Sequence, residues 1–277
     1  MFRRLGLTAV LLILTMVSVV IFRSDNAHDQ SPELDLSKLS MVFREDFDER
    51  LSVSPWGPNT RWTAHTPWHG DFGDAQFADP VLGFPFTVSD GILRIEARKD
   101  SNGKWQSGLL SSADENGRGF SLQYGYFEMR AKLPPGPGVW PAFWLGTVAD
   151  KKAAASLEVD VLEYYGHSPG AYQTNIHVWR TDGTDANDTR YRPNEVKVPP
   201  GSLTSDFNTY GVMVTKEWII FYLNRKEVFR DKTPVEHQRR LHVLLNLALG
   251  SGFPIDKTPN PSFMYVDYVH AYKLIDE

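Results

Sequence analysis

The chain has 277 residues, 42% of them hydrophobic and 23% charged, and a formal net charge of −5. That composition belongs to a globular protein, and a mildly acidic balance without any basic cluster excludes nucleic acid as a partner. Cysteine is absent, so no disulfide supports the fold and its stability must come from a large core.

In chain order, Arg3 and Arg4 precede an uncharged apolar run over 5–22. Residues 1–27 read as a signal peptide or as an uncleaved N-terminal membrane anchor, and the sequence leaves both open. Either way the remainder is expected outside the cytoplasm: periplasmic, secreted, or anchored and facing outward, with the membrane met only through this segment. Residues 28–40 form a polar linker, and 41–277 form one domain.

Strand signals then recur at 86–88, 92–97, 124–133, 157–164, 173–179, 210–214, 218–223, 226–229, 241–249 and 264–274. Ser89-Asp90-Gly91 and Asn224-Arg225 read as hairpin turns, and a short helix is expected over 151–155. Asn187-Asp188-Thr189 fits a glycosylation sequon. Many strands without a βαβ rhythm predict an all-β fold, a two-sheet antiparallel sandwich.

Residues 157–165 read Leu-Glu-Val-Asp-Val-Leu-Glu-Tyr-Tyr. Alternate residues of a strand share a face, so Glu158 and Asp160 point the same way, and regular alternation would then present Leu162. A one-residue bulge at Val161-Leu162 brings Glu163 into line instead. Three aligned acids repel one another unless some share protons. A solvated edge strand is the plain alternative, disfavoured by the apolar and aromatic flanks. A metal cluster is disfavoured because the strand contains no histidine.

The polar face of 124–133 carries Tyr126, Glu128, Arg130 and Lys132; that of 173–179 carries Gln173, Asn175, His177 and Trp179. Side by side, two such faces would make a groove for a polar, ring-shaped ligand. All eight tryptophans lie beyond the export segment. Trp140 follows the Gly/Pro loop 134–138 and is placed at a cleft rim, Trp144 either there or in the core, and Trp218 in the core with Ile220 and Tyr222.

Together these motifs resemble glycoside hydrolase family 16, the β-jelly-roll endo-glycanases and transglycosylases. The Glu-x-Asp-x-x-Glu signature stands as Glu158-Val-Asp160-Val-Leu-Glu163. The block 124–145, Tyr-Gly-Tyr-Phe-Glu-Met-Arg-Ala-Lys-Leu-Pro-Pro-Gly-Pro-Gly-Val-Trp-Pro-Ala-Phe-Trp-Leu, looks like a second hallmark, and 266–272, Val-Asp-Tyr-Val-His-Ala-Tyr, like the usual last strand. The likeness runs over roughly 41–273.

The resemblance implies a concanavalin A-like jelly roll with a concave substrate cleft, and a monomeric, exported endo-β-glycosidase acting on an extracellular β-glucan or glucose-rich exopolysaccharide. It implies Glu158 as nucleophile, Glu163 as general acid/base holding a proton at neutral pH, and Asp160 as the helper between them. By the same likeness Glu128, Arg130, Trp140, Trp144, Asn175, His177 and Asn246 contact the polysaccharide. Catalysis requires no cofactor; a structural Ca²⁺ is implied at Asp46, Gly91 and Asp267. The segment 62–75, rich in Trp and His, resembles the branch that processes bacterial exopolysaccharides such as succinoglycan. A transglycosylase on the same scaffold and a non-catalytic sugar-binding jelly roll are the alternatives.

Overall fold

The computed structural model describes residues 32–148, 153–180 and 193–275. The apolar run at 5–22, the sequon at Asn187 and part of the expected 151–155 helix lie outside the described residues. Among the described residues no helix is long and apolar enough to cross a membrane. Ala153 and Ala154 are not helical, and Ala155 begins a strand.

The strands, in chain order, are β1 (Leu39–Glu45), β2 (Val53–Ser54), β3 (Trp62–Thr63), β4 (Gln76–Phe77), β5 (Phe86–Ser89), β6 (Ile92–Lys99), β7 (Trp105–Ser107), β8 (Leu109–Ser111), β9 (Gly125–Lys132), β10 (Val139–Thr147), β11 (Ala155–Glu163), β12 (Ala171–Arg180), β13 (Asn194–Lys197), β14 (Asn208–Val214), β15 (Trp218–Leu223), β16 (Lys226–Lys232), β17 (Leu241–Leu249) and β18 (Ser262–Leu274). They build an all-β two-sheet sandwich. The ten-stranded sheet runs β16-β15-β14-β9-β18-β6-β7-β4, with β1 on β18 and β5 on β6. The eight-stranded sheet runs β13-β12-β11-β10-β17-β8-β3-β2. Pairing is antiparallel except for the short pairs β2–β3 and β4–β7.

Alternation explains the core. Phe127, Met129 and Ala131 of β9 share one cluster between the sheets with Leu241, Val243, Leu245, Leu247 and Leu249 of β17. The opposite face of the eight-stranded sheet is where the functional residues collect. In β15 the inward residues are Ile219 and Phe221, not Trp218 and its alternates as expected. Trp218 lies outside, beneath Arg230 and Lys232. Both faces of this strand are apolar, so periodicity alone does not say which one is the interior.

The ten-stranded sheet also has a covered outer face. Leu34, Leu36 and Leu39 pack there on Tyr126, Met213, Tyr222 and Tyr272. The Leu34 N–H donates to the Arg225 carbonyl at 2.8 Å, so the chain before β1 is laid across the sheet as a strap.

Candidate active site

The three acids sit at the middle of the eight-stranded sheet because β11 is paired on both sides. Glu158 lies between Gly146 and His177, Asp160 between Trp144 and Asn175, and Glu163 between Ala142 and Gln173. Register slips between Asp160 and Glu163 on one side and between Phe143 and Trp144 on the other. Val161 and Leu162, neighbours in sequence, therefore both enter the core, and the bulge returns Glu163 to the face of Glu158 and Asp160. The flanking Gly146 and Ala142 are small, which leaves room beside each glutamate. Gly146 is needed for a second reason: a Cβ there would stand 3.0 Å from His242 Cε1.

Each acid has its own partners. Glu163 accepts from Trp140 Nε1 at 3.2 Å, from the Tyr165 hydroxyl at 3.1 Å and from Asn175 Nδ2. Asp160 Oδ2 lies 3.1 Å from His177 Nε2, and His177 stacks on Trp179 at 5.3 Å. Burial raises Asp160 well above the usual carboxylate range, and the charge of Glu163 adds to this. Burial first, then the charges of Asp160 and Glu163, lifts Glu158 from 4.5 to about 8, against the opposing pull of His177 and a hydrogen bond from Trp179. The expectation had Glu158 ionised and Glu163 alone protonated. In the structure Glu158 itself is pushed toward its neutral form. The push from Asp160 counts only while Asp160 is charged, and Asp160 is the more deeply buried of the two. Glu158 is thus ionised most readily when Asp160 holds the proton.

Beside Glu158 opens a cavity of about 790 Å³, lined among others by Trp68, His69, Trp144, Trp179, Arg239 and His242. Trp68, from the aromatic 62–75 loop, is 54% exposed and tilts against Trp144 at 5.8 Å. Trp56, ahead of that loop in the chain, stacks on the loop's His65 and His69, with each ring 4.3 Å away. Trp144 donates to Asn246 Oδ1 at 2.8 Å. Asn246 Nδ2 and Asn175 Oδ1 are buried without a protein partner, so each can bond a ligand hydroxyl after a small adjustment.

Trp140, Trp144, Asn175, His177 and Asn246 are therefore brought to the acids. Glu128 and Arg130 are not. They belong to β9 in the ten-stranded sheet, on its outer face, and β9 is no neighbour of β12. Glu128 is fully buried there, bonded twice by Arg225 at 2.9 Å and by the hydroxyls of Tyr126 and Tyr268. Arg130 pairs with Asp267 and lies over Phe207. The face that reads as polar and exposed is a structural charge cluster.

The expected calcium donors do not fit an ion as placed. Asp46 is bonded by Arg44 and His270, and Asp267 by Arg130, so both spend their charge on cationic side chains. The acid next to Gly91 is Asp48, whose Oδ1 would be 3.3 Å from a Cβ built there. Calcium wants six to eight oxygens in one shell. Among the described residues, Glu158, Asp160 and His177 bring one ligand atom each within 4.8 Å of one another. The sequence missed that possibility because His177 comes from the neighbouring strand. Proton sharing accounts for the closeness without an ion.

Tyr165, Gly146 and His242 were not singled out as site residues. Trp179 was visible as the last member of the Asn175–His177 face. Gly146 and His242 had no signal until β10 and β17 were known to pair at that point.

The fold is a two-sheet sandwich of the jelly-roll class, with three carboxyls lined up on a bulged strand at the bottom of an aromatic cleft. Residues 84–242 match the glycosyl hydrolases of family 16, and the chain belongs to that family. It is 31% identical over 271 residues to the endo-1,3-1,4-beta-glycanase EglC of Rhizobium meliloti, covering 90% of this chain and 55% of that protein. It is 32% identical to ExsH of the same organism, a protein with the same description, with the same coverage. The chain thus spans about half the length of these curated relatives. Among solved structures it resembles the catalytic domain of an endo-1,3-beta-glucanase from Thermotoga petrophila, with a TM-score of 0.66 at 22% identity over 86% of this chain and 98% of that one. It also resembles SCLam, a non-specific endo-beta-1,3(4)-glucanase, with a TM-score of 0.68 at 22% identity over 88% and 95%. At such identities the likeness speaks for the fold.

Proposed function

We propose that this chain is a retaining endo-β-glycosidase that cuts a β-glucan or glucose-rich polysaccharide by double displacement. The observation that supports it most is the bulge in β11, which puts Glu158 and Glu163 on one face with Asp160 between them and a small residue beside each glutamate. Retention needs the two carboxyls roughly 5–5.5 Å apart, a spacing within the reach of two such side chains.

In this mechanism Glu158 attacks the anomeric carbon while Glu163 donates its proton to the departing glycosidic oxygen. A glycosyl ester on Glu158 results. Glu163, now a carboxylate, takes a proton from water, whose oxygen attacks the same carbon and frees Glu158. Trp140, Tyr165 and Asn175 hold the Glu163 carboxyl in place through both steps. His177 holds Asp160, which keeps a proton between the two glutamates.

The described activities of EglC and ExsH favour β-1,3- and β-1,3-1,4-linked glucans as first substrates. The Trp68–Trp144–Trp179 wall suits a chain of sugar rings, and the 62–75 loop is the part suited to choose between plain glucans and exopolysaccharides. The apolar run after Arg3 and Arg4 supports action outside the cytoplasm. The test is reducing-sugar release from a panel of glucans and exopolysaccharides, with the first-formed anomer followed by NMR. A product of inverted configuration, or no release from any β-linked glucan, would sink the reading.

A further inference from the structure

One ring in the lining of the 790 Å³ cavity has no part in the mechanism above. Gly146 pairs with Glu158 on one side and with His242 on the other, so His242 stands one strand beyond the nucleophile on the same face. Its imidazole lies against Gly146. A Cβ on that residue would be 3.0 Å from Cε1 and 3.5 Å from Nε2. The ring thus covers the floor where a side chain of residue 146 would otherwise stand. His242 is 1% exposed, and neither ring nitrogen has a hydrogen-bond partner among the described residues. The buried His237, by contrast, is anchored to the Gln123 carbonyl at 2.8 Å. Buried polar atoms are nearly always bonded in folded proteins, and one left open at the floor of a cleft is open to what the cleft binds.

The chemistry of the ring says what that is. Burial pushes His242 down to about 4, and the Gly146 backbone opposes this without closing a hydrogen bond. Near neutral pH the imidazole is therefore uncharged, with one N–H and one bare nitrogen. The pull of the Gly146 carbonyl keeps the proton on the nitrogen nearer to it, so the nitrogen turned away is the acceptor. An acceptor needs a donor. A sugar hydroxyl supplies one; an ether oxygen, an ester oxygen, a carboxylate or a sulfate does not. An anionic group would also bring its charge into a buried place beside Glu158. With no side chain on Gly146 the ring can turn to meet a hydroxyl, whereas a group hung on that oxygen would have to displace it.

We propose that His242 is a specificity-determining residue, whose bare nitrogen accepts from a free hydroxyl on one of the two sugars next to the cut on the Glu158 side, so that a polymer substituted on that oxygen is refused. The inference rests on the endo-glycosidase reading and narrows its substrate. A site built to bond a hydroxyl discriminates strongly against a sugar without one, because its own buried group is then left unpaired. Plain β-glucan meets the condition at every sugar. An acylated exopolysaccharide meets it only where the sugar at that place is unsubstituted.

The experiment crosses enzyme variants with substrate hydroxyls. The full chain, His242→Phe, His242→Leu and His242→Gln are assayed on the nitrophenyl β-glycoside of a β-1,3-linked glucose trisaccharide. The same four are assayed on its monodeoxy analogues, with one hydroxyl removed at a time from the two sugars next to the nitrophenyl group. At one position the wild type is expected to lose about tenfold more kcat/KM than His242→Phe or His242→Leu, and at the others all three should lose alike. His242→Gln, whose amide oxygen still accepts, should keep the difference. The O-methyl ether at that same position should serve the wild type no better than the deoxy sugar. Equal losses in the wild type and in whichever of the Phe and Leu variants folds, at every position, would overturn the role of His242, since a purely structural ring couples to no particular hydroxyl. A wild-type protein that turns over neither the parent glycoside nor β-glucan would overturn the glycosidase reading itself.

Discussion

Replacing Glu158 by Gln should stabilise the protein, and by an amount that depends on pH. The Glu158 carboxyl is raised from 4.5 to about 8, chiefly by burial. Below the lower value it is protonated in the folded and the unfolded chain alike, and nothing is lost. As pH rises, the unfolded chain releases the proton while the folded chain keeps it. Folding stability therefore falls through this window, and the loss is complete above about 8. A rise of about 3.5 pH units, at about 1.4 kcal/mol each, sets a ceiling near 5 kcal/mol. Part of the rise comes from Asp160, which pushes on Glu158 only when it is itself charged, so about 2–3 kcal/mol is the expected gain. Glutamine has the same shape and no proton to lose. Thermal unfolding of both proteins from pH 4.5 to 8.5 should show little difference at the acid end and a midpoint about 5 °C higher for Glu158→Gln near pH 8. Coincident curves at pH 8, or a gap that narrows as pH rises, would refute the reasoning. The same variant should lose hydrolysis by many orders of magnitude, so that stability and activity move in opposite directions at one residue.

Glu163→Ala should still be glycosylated by substrates with an activated leaving group, and azide should restore turnover with retained configuration; an azide product of inverted configuration would exchange the roles of Glu158 and Glu163. Because Trp140 bonds Glu163, Trp140→Phe should slow poor leaving groups about tenfold more than activated ones; equal slowing would make Trp140 a sugar contact alone. Glu128→Ala should cost about 3–5 kcal/mol of stability by leaving Arg225 without its acid, while kcat/KM of the folded protein holds. Lost activity at undiminished stability would put Glu128 back at the substrate.

What the sequence told and what it hid divide along one line. The catalytic strand was legible because its information is local: spacing 158–160–163 conflicts with alternation, and a bulge is the smallest repair. Asn175, His177 and Trp179 were legible by period. Glu128 and Arg130 carry an equally clear period, and it misled, because alternation separates two faces without saying which sheet a strand joins or what covers it. Glu128 is covered by Arg225 and Tyr268, which come from distant parts of the chain. Trp218 failed for a related reason: its sheet has an apolar coat on both sides. The rise of the Glu158 carboxyl was not legible because it comes from burial and from the charges of Asp160 and Glu163, against the opposing pull of His177 and Trp179 on the neighbouring strand.

The strap formed by Leu34 and Leu36 sets how the molecule can be presented. It ties the chain entering at residue 32 to the outer face of the ten-stranded sheet, and the cleft opens on the outer face of the other sheet. Whatever is joined ahead of that point is attached at the back. A bead, a fusion partner or a lipid surface tethered there leaves the mouth of the cleft turned outward, free to take a polymer much longer than the protein itself.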